Sequence, residues 1–285
     1  MTSNDRSATT VGDAPLAEAY LDLCKEALTG GAYRAPEPRR RDLRWVAYQP
    51  VRWALARRGL ELVKRVDPGA RAEGLDYSSD ATTMIGHRRL DNLQECIVRV
   101  LRDGVPGDLI ETGVWRGGAA IFMRAVLKAY GDTRRKVWVA DSFQGLPRPD
   151  TRRYPADVAS NLWTMSGLAV SLDSVRENFR RYGLLDDQVR FLPGWFRDTL
   201  PGAPIHRLAV LRLDGDMYES TMDALSALYD KVVPGGYVIV DDYGAVEGCR
   251  RAVDQFRREQ AITEDLHRID WTGVYWRRAT AGAPA

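Results

Sequence analysis

The sequence predicts an α/β protein with a doubly wound, mainly parallel sheet, an antiparallel C-terminal hairpin and an N-terminal helical arm. Five short apolar runs follow one another from residue 108 onward, and segments of helical length separate them. Strands that alternate with helices in this way form parallel sheets with helices on both faces. The end of the chain departs from this alternation, because two strand-like runs flank Thr272-Gly273. We expect these two runs to form a hairpin at the edge of the sheet.

The beginning of the chain differs in composition from the rest. Residues 1–15 are small and polar, which predicts a disordered tail. A short amphipathic helix should follow, and a second helix is expected at about 52–66. The apolar face of the first helix is predicted to carry Leu16, Tyr20, Leu23 and Ala27. Residues 16–76 should therefore form the helical arm, residues 77–278 the main domain and residues 279–285 a tail.

Basic and aromatic residues are interleaved in the second half of this arm. They are Arg39, Arg40, Arg41, Trp45, Tyr48, Arg52, Trp53, Arg57 and Arg58. One interpretation is contact with nucleic acid or a membrane surface, because such residues bind phosphates and stack on bases or insert at interfaces. The other is packing on the arm's own domain or on a sister subunit. No recognisable nucleic-acid-binding signature accompanies these residues, so we favour the second interpretation.

The predicted parallel strands are short and apolar, as strands buried on both faces should be. They cover residues 108–111, 136–140, 189–192, 208–213 and 236–240. Serine residues mark two of the predicted helix starts. Ser174 and Glu177 form a capping-box pattern, and Ser220 precedes a helix that runs toward Lys231.

Composition argues against several classes of protein and site. The 41 basic and 39 acidic residues leave a net charge of +2, so no global field attracts nucleic acid or an anionic membrane. Cys24, Cys96 and Cys249 are odd in number and lack CxxC spacing, which indicates a reducing compartment rather than disulfides or zinc. The sequence contains neither an apolar leader nor 18 consecutive apolar residues. We expect a cytoplasmic protein without nucleic-acid or membrane partners.

The first predicted strand ends in a glycine turn that suits a bound small molecule. The turn is Glu111-Thr112-Gly113-Val114-Trp115-Arg116-Gly117-Gly118, and such turns bring backbone N–H groups close to a ligand. It lacks both GxGxxG and the Gly-Lys-Ser/Thr of a P-loop, which argues against a pyrophosphate or triphosphate. Glu111 can pair with an ammonium group, and Asp141 can bind ribose hydroxyls after the second strand. S-adenosylmethionine has both an ammonium group and ribose hydroxyls, and it has no phosphate.

Four aspartates follow the fourth and fifth predicted strands, namely Asp214, Asp216, Asp241 and Asp242. Because the carboxyl ends of neighbouring parallel strands meet at one edge, we expect these side chains to lie together. A cation would relieve their repulsion, and oxygen ligands favour Mg²⁺ over zinc. With the other three carboxylates on the metal, Asp216 stays free to take a proton. The alternative is that each aspartate only caps the helix that follows it.

Several motifs in this order resemble those of the macrocin O-methyltransferase (TylF-like) family. They are TMIG at 83–86 followed by RRLDNLQ, ETGVWRGG at 111–118, DSFQGLP at 141–147, GWFRDTLP at 194–201, LRLDGDMYEST at 211–221 and VIVDDYG at 238–244. The resemblance covers about residues 77–245, and the LDGD and VDDY pair is its most specific part. It implies a Rossmann-like methyltransferase sheet of seven strands. It also implies an S-adenosylmethionine- and Mg²⁺-dependent enzyme of antibiotic biosynthesis that methylates a sugar hydroxyl of a glycosylated natural product.

The resemblance assigns a role to each motif residue by its position. It implies that Asp214, Asp241 and Asp242 bind the metal and that Asp216 is the general base. The residues implied to line the site of the methyl donor are Thr83, Met84, Glu111, Thr112, Gly113, Val114, Trp115, Asp141, Ser142, Phe143, Gln144, Gly145 and Trp195.

The acceptor is less well defined by the sequence than the donor. The alternative to a sugar O-methyltransferase is a catechol- or phenol-type enzyme, whose metal motif normally ends in Asp-Asn where this chain has Asp241-Asp242. Residues 148–172 have the length and irregularity of an active-site lid, so we interpret them as an acceptor-recognition loop rather than an ordinary surface excursion. We expect a glycosylated small molecule as the partner, and a homodimer or a higher homo-oligomer as the assembly.

Overall fold

The computed structural model describes residues 14–31, 50–51, 53–59, 67–76 and 80–279. Most of the predicted disordered tail, the expected domain boundary at residue 77 and residues 280–285 lie outside these ranges. Residues 60–66 of the second predicted arm helix also lie outside these ranges. Residues 53–56 of that predicted helix are helical. The basic and aromatic arm residues outside the described ranges are Arg39, Arg40, Arg41, Trp45, Tyr48 and Arg52.

The described residues form a sheet of seven strands with helices on both of its faces. The strands are β1 (Asp108–Thr112), β2 (Val137–Asp141), β3 (Val189–Pro193), β4 (Leu208–Leu213), β5 (Val232–Val240), β6 (His267–Arg268) and β7 (Val274–Arg277). The helices are α1 (Ala14–Leu28), α2 (Pro68–Ala72), α3 (His87–Arg102), α4 (Gly118–Ala129), α5 (Leu172–Arg181), α6 (Phe196–Thr199), α7 (Tyr218–Leu228) and α8 (Glu247–Glu259).

The strand order is β3-β2-β1-β4-β5-β7-β6. The first five strands in this order are parallel, whereas β7 is antiparallel to both β5 and β6. This arrangement confirms the predicted fold class, including the C-terminal hairpin. Because the chain order reverses between β1 and β4, the crevice at the carboxyl ends of these two strands is the place where such sheets bind ligands.

The core has two layers because successive side chains of a buried strand point to opposite faces. On one face, Leu109 and Val139 pack with residues of α1, α3, α4 and α5. On the other face, Ile110 and Leu211 pack with residues of α7 and α8. Strands β1, β2, β4 and β5 are therefore covered on both sides, whereas the edge strand β3 is partly exposed. Among the described residues, no helix is both long and apolar enough to cross a membrane.

The predicted apolar face of α1 is wrong. Leu16 and Leu23 are 72% and 65% exposed, while Tyr20 and Ala27 are only partly buried. The residues that pack inward are Ala17, Leu21, Cys24 and Leu28. Both sets have helical spacing and lie one residue apart, so periodicity alone could not choose between them.

Both predicted serine caps are also wrong. Helix α5 begins at Leu172, two residues before Ser174, and Ser171 is its N-cap, because the Ser171 hydroxyl accepts a hydrogen bond from Ser174 N (3.2 Å). Glu177 lies inside that helix and pairs with Arg180 instead. Ser220 lies inside the first turn of α7, whose N-cap position is Met217. The N–H groups that begin α7 are bound by a side chain distant in sequence.

Candidate active site

A cleft with about 770 Å³ of empty space opens at the carboxyl edge of the sheet, between the turns that follow β1, β2, β3 and β4. Its walls contain many of the residues implied to bind the methyl donor, namely Met84, Gly113, Trp115, Asp141, Ser142, Gly145 and Trp195. Asp214 and Asp216 line the same cleft. The structure thus joins the predicted donor residues and two of the aspartates around one volume.

The turn after β1 requires glycine for two reasons. Gly113 has a φ of 90°, which is the left-handed region that favours glycine. A Cβ at this position would also lie 1.8 Å from the carbonyl oxygen of Asp214. The close approach brings the β1 turn against the β4 turn, and so places the predicted donor residues next to the aspartates.

Asp141 joins two turns of the cleft wall. One carboxylate oxygen accepts a hydrogen bond from Val114 N (2.8 Å), and the other accepts one from Phe143 N (2.7 Å). Burial raises the pKa of Asp141 above its usual value. The Ser142 hydroxyl also donates to the oxygen bound by Phe143 N (3.4 Å). The carboxylate is partly exposed and lines the cleft, where a hydroxyl group of a ligand can reach it.

The remaining predicted donor residues do not line the cleft. They are Thr83, Glu111, Thr112, Val114, Phe143 and Gln144. Thr83 supports the turn from behind, because a Cβ at Gly118 would lie 2.5 Å from the Cβ of Thr83. Phe143 is buried and contacts the ring of Phe191, whereas Gln144 is exposed. The structure therefore places these residues around the turns rather than on the cleft surface.

The aspartates that follow β4 and β5 lie together, as the strand order requires. Asp214, Asp241 and Asp242 each offer a carboxylate oxygen, and these three atoms lie within 4.8 Å of one another. Asp216 N donates to Asp242 Oδ2 (3.2 Å). The N-cap positions of α7 and α8 are Met217 and Val246, so none of the four aspartates caps these helices.

Two buried arginines hold these carboxylates. Arg212, which is 1% exposed, donates through Nη1 to Glu111 Oε1 and Asp214 Oδ2, both at 2.6 Å. Its Nη2 donates to Asp241 Oδ1. Arg89 donates from α3 to the other oxygen of Asp241 and forms an ion pair with Asp270 (2.9 Å). The sequence interpretation gave neither arginine a role, although a charged residue inside the apolar run LAVLRL was a visible signal.

Glu111 lies among these ion pairs and not on the cleft wall. It is 2% exposed, and the sequence interpretation expected it to bind the ammonium group of a cofactor. Its Oε1 is occupied by Arg212, while Oε2 is buried without a hydrogen-bond partner in the described part of the chain. Burial raises the pKa of Glu111 to about 8. Arg212 links Glu111 to the cleft-lining residue Asp214.

The cluster carries more acid than its arginines balance. Burial, reinforced by the charge of Asp241, raises the pKa of Asp214 to about 6. Burial and the charge of Asp214 raise the pKa of Asp216 to about 8, and burial also raises the pKa of Asp242. A set of carboxylate oxygens with unbalanced negative charge fits a hard divalent cation such as Mg²⁺. The three carboxylates of Asp214, Asp241 and Asp242 are therefore chemically suitable ligands for Mg²⁺.

The segment interpreted as a lid contains three short 3-10 turns and contacts both sides of the cleft. On one side, Trp115 Nε1 donates to the carbonyl oxygen of Gly167 (2.9 Å). On the other, the carboxylate of Asp157 accepts hydrogen bonds from Tyr218 N (2.7 Å) and Glu219 N (3.1 Å). Asp157 is 2% exposed and supplies the N-terminal cap that Met217 cannot. Leu168 brings this segment into the wall of the cleft.

Asp157→Ala is expected to lower the free energy of unfolding by about 1–2 kcal/mol, because two N–H groups of α7 lose their acceptor. Urea unfolding followed by circular dichroism measures this change. The matched control is Asp150→Ala, which removes a carboxylate that binds exposed N–H groups within the segment itself and should change stability less. Equal stabilities of the Asp157 variant and the wild type would contradict the proposed cap.

Comparison with known proteins assigns this chain to a family. The model of the macrocin-O-methyltransferase (TylF) family matches residues 17–278. A tetracenomycin 4'-O-methyltransferase of Streptomyces olivaceus, which acts on the 2,3-dimethoxy-rhamnosyl derivative, is 53% identical over 93% of this chain and 95% of its own length. The mycinamicin III 3''-O-methyltransferase of Micromonospora griseorubida is 55% identical over 92% of this chain and 97% of its own.

A solved structure agrees with these sequence relatives. The O-methyltransferase NovP is 48% identical, with a TM-score of 0.81 over 93% of this chain and all of the NovP chain. The family model also spans α1 as well as the sheet, so the first helix belongs to the shared architecture. The chain described here therefore belongs to the macrocin-O-methyltransferase (TylF) family and is a methyltransferase.

Proposed function

We propose that this enzyme transfers the methyl group of S-adenosylmethionine, with Mg²⁺, to a sugar hydroxyl of a glycosylated natural product. The observation that carries the proposal is the convergence of Asp214, Asp241 and Asp242 beside a cleft that Asp216 also lines. An aliphatic hydroxyl is a weak nucleophile, and a divalent cation next to a free carboxylate is a suitable arrangement for activating it.

The donor fits the part of the cleft formed by the turns after β1 and β2. Asp141 can accept the ribose hydroxyls, and the backbone of the β1 turn approaches the cleft closely at Gly113. Trp115 and Trp195 supply flat apolar surface for the adenine ring or the methionine chain of the donor. These groups are suited to binding a nucleoside that lacks phosphate groups.

Asp216 is the proposed general base. Its carboxylate takes the proton of the acceptor hydroxyl as the O–CH₃ bond forms and the S–CH₃ bond breaks, which leaves a neutral thioether. Asp214, Asp241 and Asp242 would hold Mg²⁺, which supplies charge that lowers the pKa of the hydroxyl and orients its oxygen. Arg212 and Arg89 fix the carboxylate of Asp241 by both of its oxygens. Holding donor and acceptor in contact adds about 7–11 kcal/mol at most to the rate acceleration.

The proposed acceptor class follows from the relatives. Two of them are named for the methylation of a rhamnosyl tetracenomycin and of mycinamicin III, and both sequences align with more than nine-tenths of this chain. We therefore propose a glycoside as acceptor rather than a catechol. The Asp241-Asp242 pair, in place of the Asp-Asn expected for catechol enzymes, supports the same choice.

The proposal is tested by incubating the full chain with methyl-labelled S-adenosylmethionine and MgCl₂ in the presence of different acceptors. The panel contains mycinamicin III, rhamnosyl tetracenomycins, methyl α-L-rhamnopyranoside and catechol. We expect label to enter at least one glycoside and not catechol, and we expect EDTA to abolish the transfer until excess MgCl₂ restores it. Methylation of catechol alone, or transfer that is unaffected by EDTA, would contradict the proposal.

A further inference from the structure

One wall of the cleft has no role in the mechanism derived above. It consists of Phe196, Arg197, Glu219, Ser220 and Asp223, which line the same volume as Asp214 and Asp216. We call these five residues the α7 wall, because three of them lie in the first two turns of that helix. Asp216 lines the same cleft, so an acceptor that reaches Asp216 must enter the volume that this wall also lines.

Glu219 is the most enclosed charged residue of this wall. Its side chain is 8% exposed, and Oε1 accepts a hydrogen bond from Arg197 Nη1 (3.3 Å). Arg197 is 54% exposed and approaches from α6, and its guanidinium is a counter-ion of Glu219. The backbone of Glu219 is also fixed, because its N–H donates to the lid residue Asp157. Glu219 is therefore held in place from two sides at the surface of the cleft.

Asp223 lies four residues further along α7, so its side chain shares a face of the helix with Glu219. It is partly buried and lines the cleft. Neither acid belongs to the group formed by Asp214, Asp241 and Asp242. The two carboxylates therefore stand beside the reaction centre as additional hydrogen-bond acceptors, with Arg197 and the hydroxyl of Ser220 as donors.

This combination of groups matches the surface of a sugar. A pyranose presents several hydroxyl donors on one side, and a carboxylate accepts two such hydroxyls with charge-assisted hydrogen bonds. The ring of Phe196 gives the wall an apolar part for the C–H face of the sugar. An acceptor without hydroxyls would leave both partly desolvated carboxylates without the hydrogen bonds that a sugar donates, which is a basis for rejection.

We propose that Glu219 and Asp223 bind the acceptor sugar through hydroxyl groups next to the reactive one, and so determine which hydroxyl meets Asp216. The inference rests on the proposed function, since it assigns the sugar of that reaction to a particular wall. Arg197 orients Glu219 by its ion pair, and Asp157 fixes the turn of α7 from which Glu219 projects. The regiochemistry of methylation is then set by α7 and not by the metal cluster.

The test compares Glu219→Gln, Asp223→Asn and the wild type on four probes: methyl α-L-rhamnopyranoside and its 2-, 3- and 4-deoxy analogues. For the wild type, we expect loss of a hydroxyl bound by the wall to lower kcat/KM by about 10- to 100-fold. The variant that lacks the matching carboxylate should already have a reduced kcat/KM on the parent glycoside. Its kcat/KM on the deoxy analogue should be little lower than that. Such non-additivity identifies a residue and a hydroxyl that act together.

Three measurements distinguish the possible failures. Asp187→Asn removes an exposed carboxylate that does not line the cleft, and its kinetics should match the wild type. Calorimetric binding of S-adenosylhomocysteine and MgCl₂ should be unchanged in both α7 variants, with the effect appearing mainly in KM. If both variants have the same kcat/KM as the wild type on each of the four probes, the inference is overturned while the proposed function stands. If the wild type methylates no glycoside of this set or of the earlier panel, the proposed function itself fails.

Discussion

Asp216→Asn should lower kcat by about 10²- to 10⁴-fold, the usual contribution of a positioned general base. The amide cannot take the proton of the acceptor hydroxyl, yet it has almost the same shape as the carboxylate. Asn also tolerates left-handed backbone, so the φ of 58° at this position is preserved. The backbone N–H that donates to Asp242 is unaffected by the substitution. The fold and the metal ligands should therefore survive.

Single-turnover transfer of labelled methyl to the best acceptor measures this effect. Calorimetry should give unchanged affinities for S-adenosylhomocysteine and for MgCl₂, which separates a chemical defect from a binding defect. Asp187→Asn is the matched control, because it makes the same chemical change at an exposed position that does not line the cleft. A kcat near that of the wild type would remove Asp216 from the role of base.

Arg212→Met should lower the free energy of unfolding by about 3–5 kcal/mol, the range seen when one partner of a buried ion pair is removed. Methionine fills much of the volume of the arginine stem, so the loss is mainly electrostatic. Glu111, Asp214 and Asp241 would remain in the interior without this guanidinium. The three acids hold the pKa of Arg212 above its ordinary value although burial opposes this, so the arginine is charged at neutral pH.

Urea unfolding of the metal-free protein measures this change, with Arg212→Lys as an intermediate case that keeps the charge but loses the fork of donors. Arg251→Met is the control, because its ion pair with Glu247 joins two exposed side chains and should contribute less than about 1 kcal/mol. If the Arg212 variant were as stable as this control, the ion-pair cluster would not be important for folding.

The sequence was sufficient to predict most of the sheet and the edge at which the aspartates meet. Strands buried on both faces are continuous apolar runs, and parallel strands must end at a common edge, so Asp214 and Asp241 could be placed together without coordinates. Helix faces were harder to predict. In α1, two apolar stripes of equal spacing lie one residue apart, and only packing against α4 selects Leu21 over Leu23.

Residues that act over long separations in the chain were missed for a different reason. Asp157 caps a helix about sixty residues later, as its contacts with Tyr218 and Glu219 demonstrate. Arg89 reaches Asp241 from α3 across 152 positions. Local patterns describe neighbours in sequence, so they point to Ser220 as the cap of α7 and give no sign of Asp157. Only Arg212 had a local signal, because a cation rarely lies inside a buried strand without acidic partners.

The contact between Asp157 and α7 has a consequence for engineered variants in which residues 148–172 are exchanged with those of a relative. A chimera that receives residues 148–172, the segment interpreted as a lid, from a relative also receives the residue that caps the N-terminus of α7, and with it the placement of Glu219. A donor lid without a carboxylate at the position of Asp157 would leave two helix N–H groups without an acceptor. Lid exchanges should therefore succeed when they carry that aspartate, or when an acid is restored at this single position.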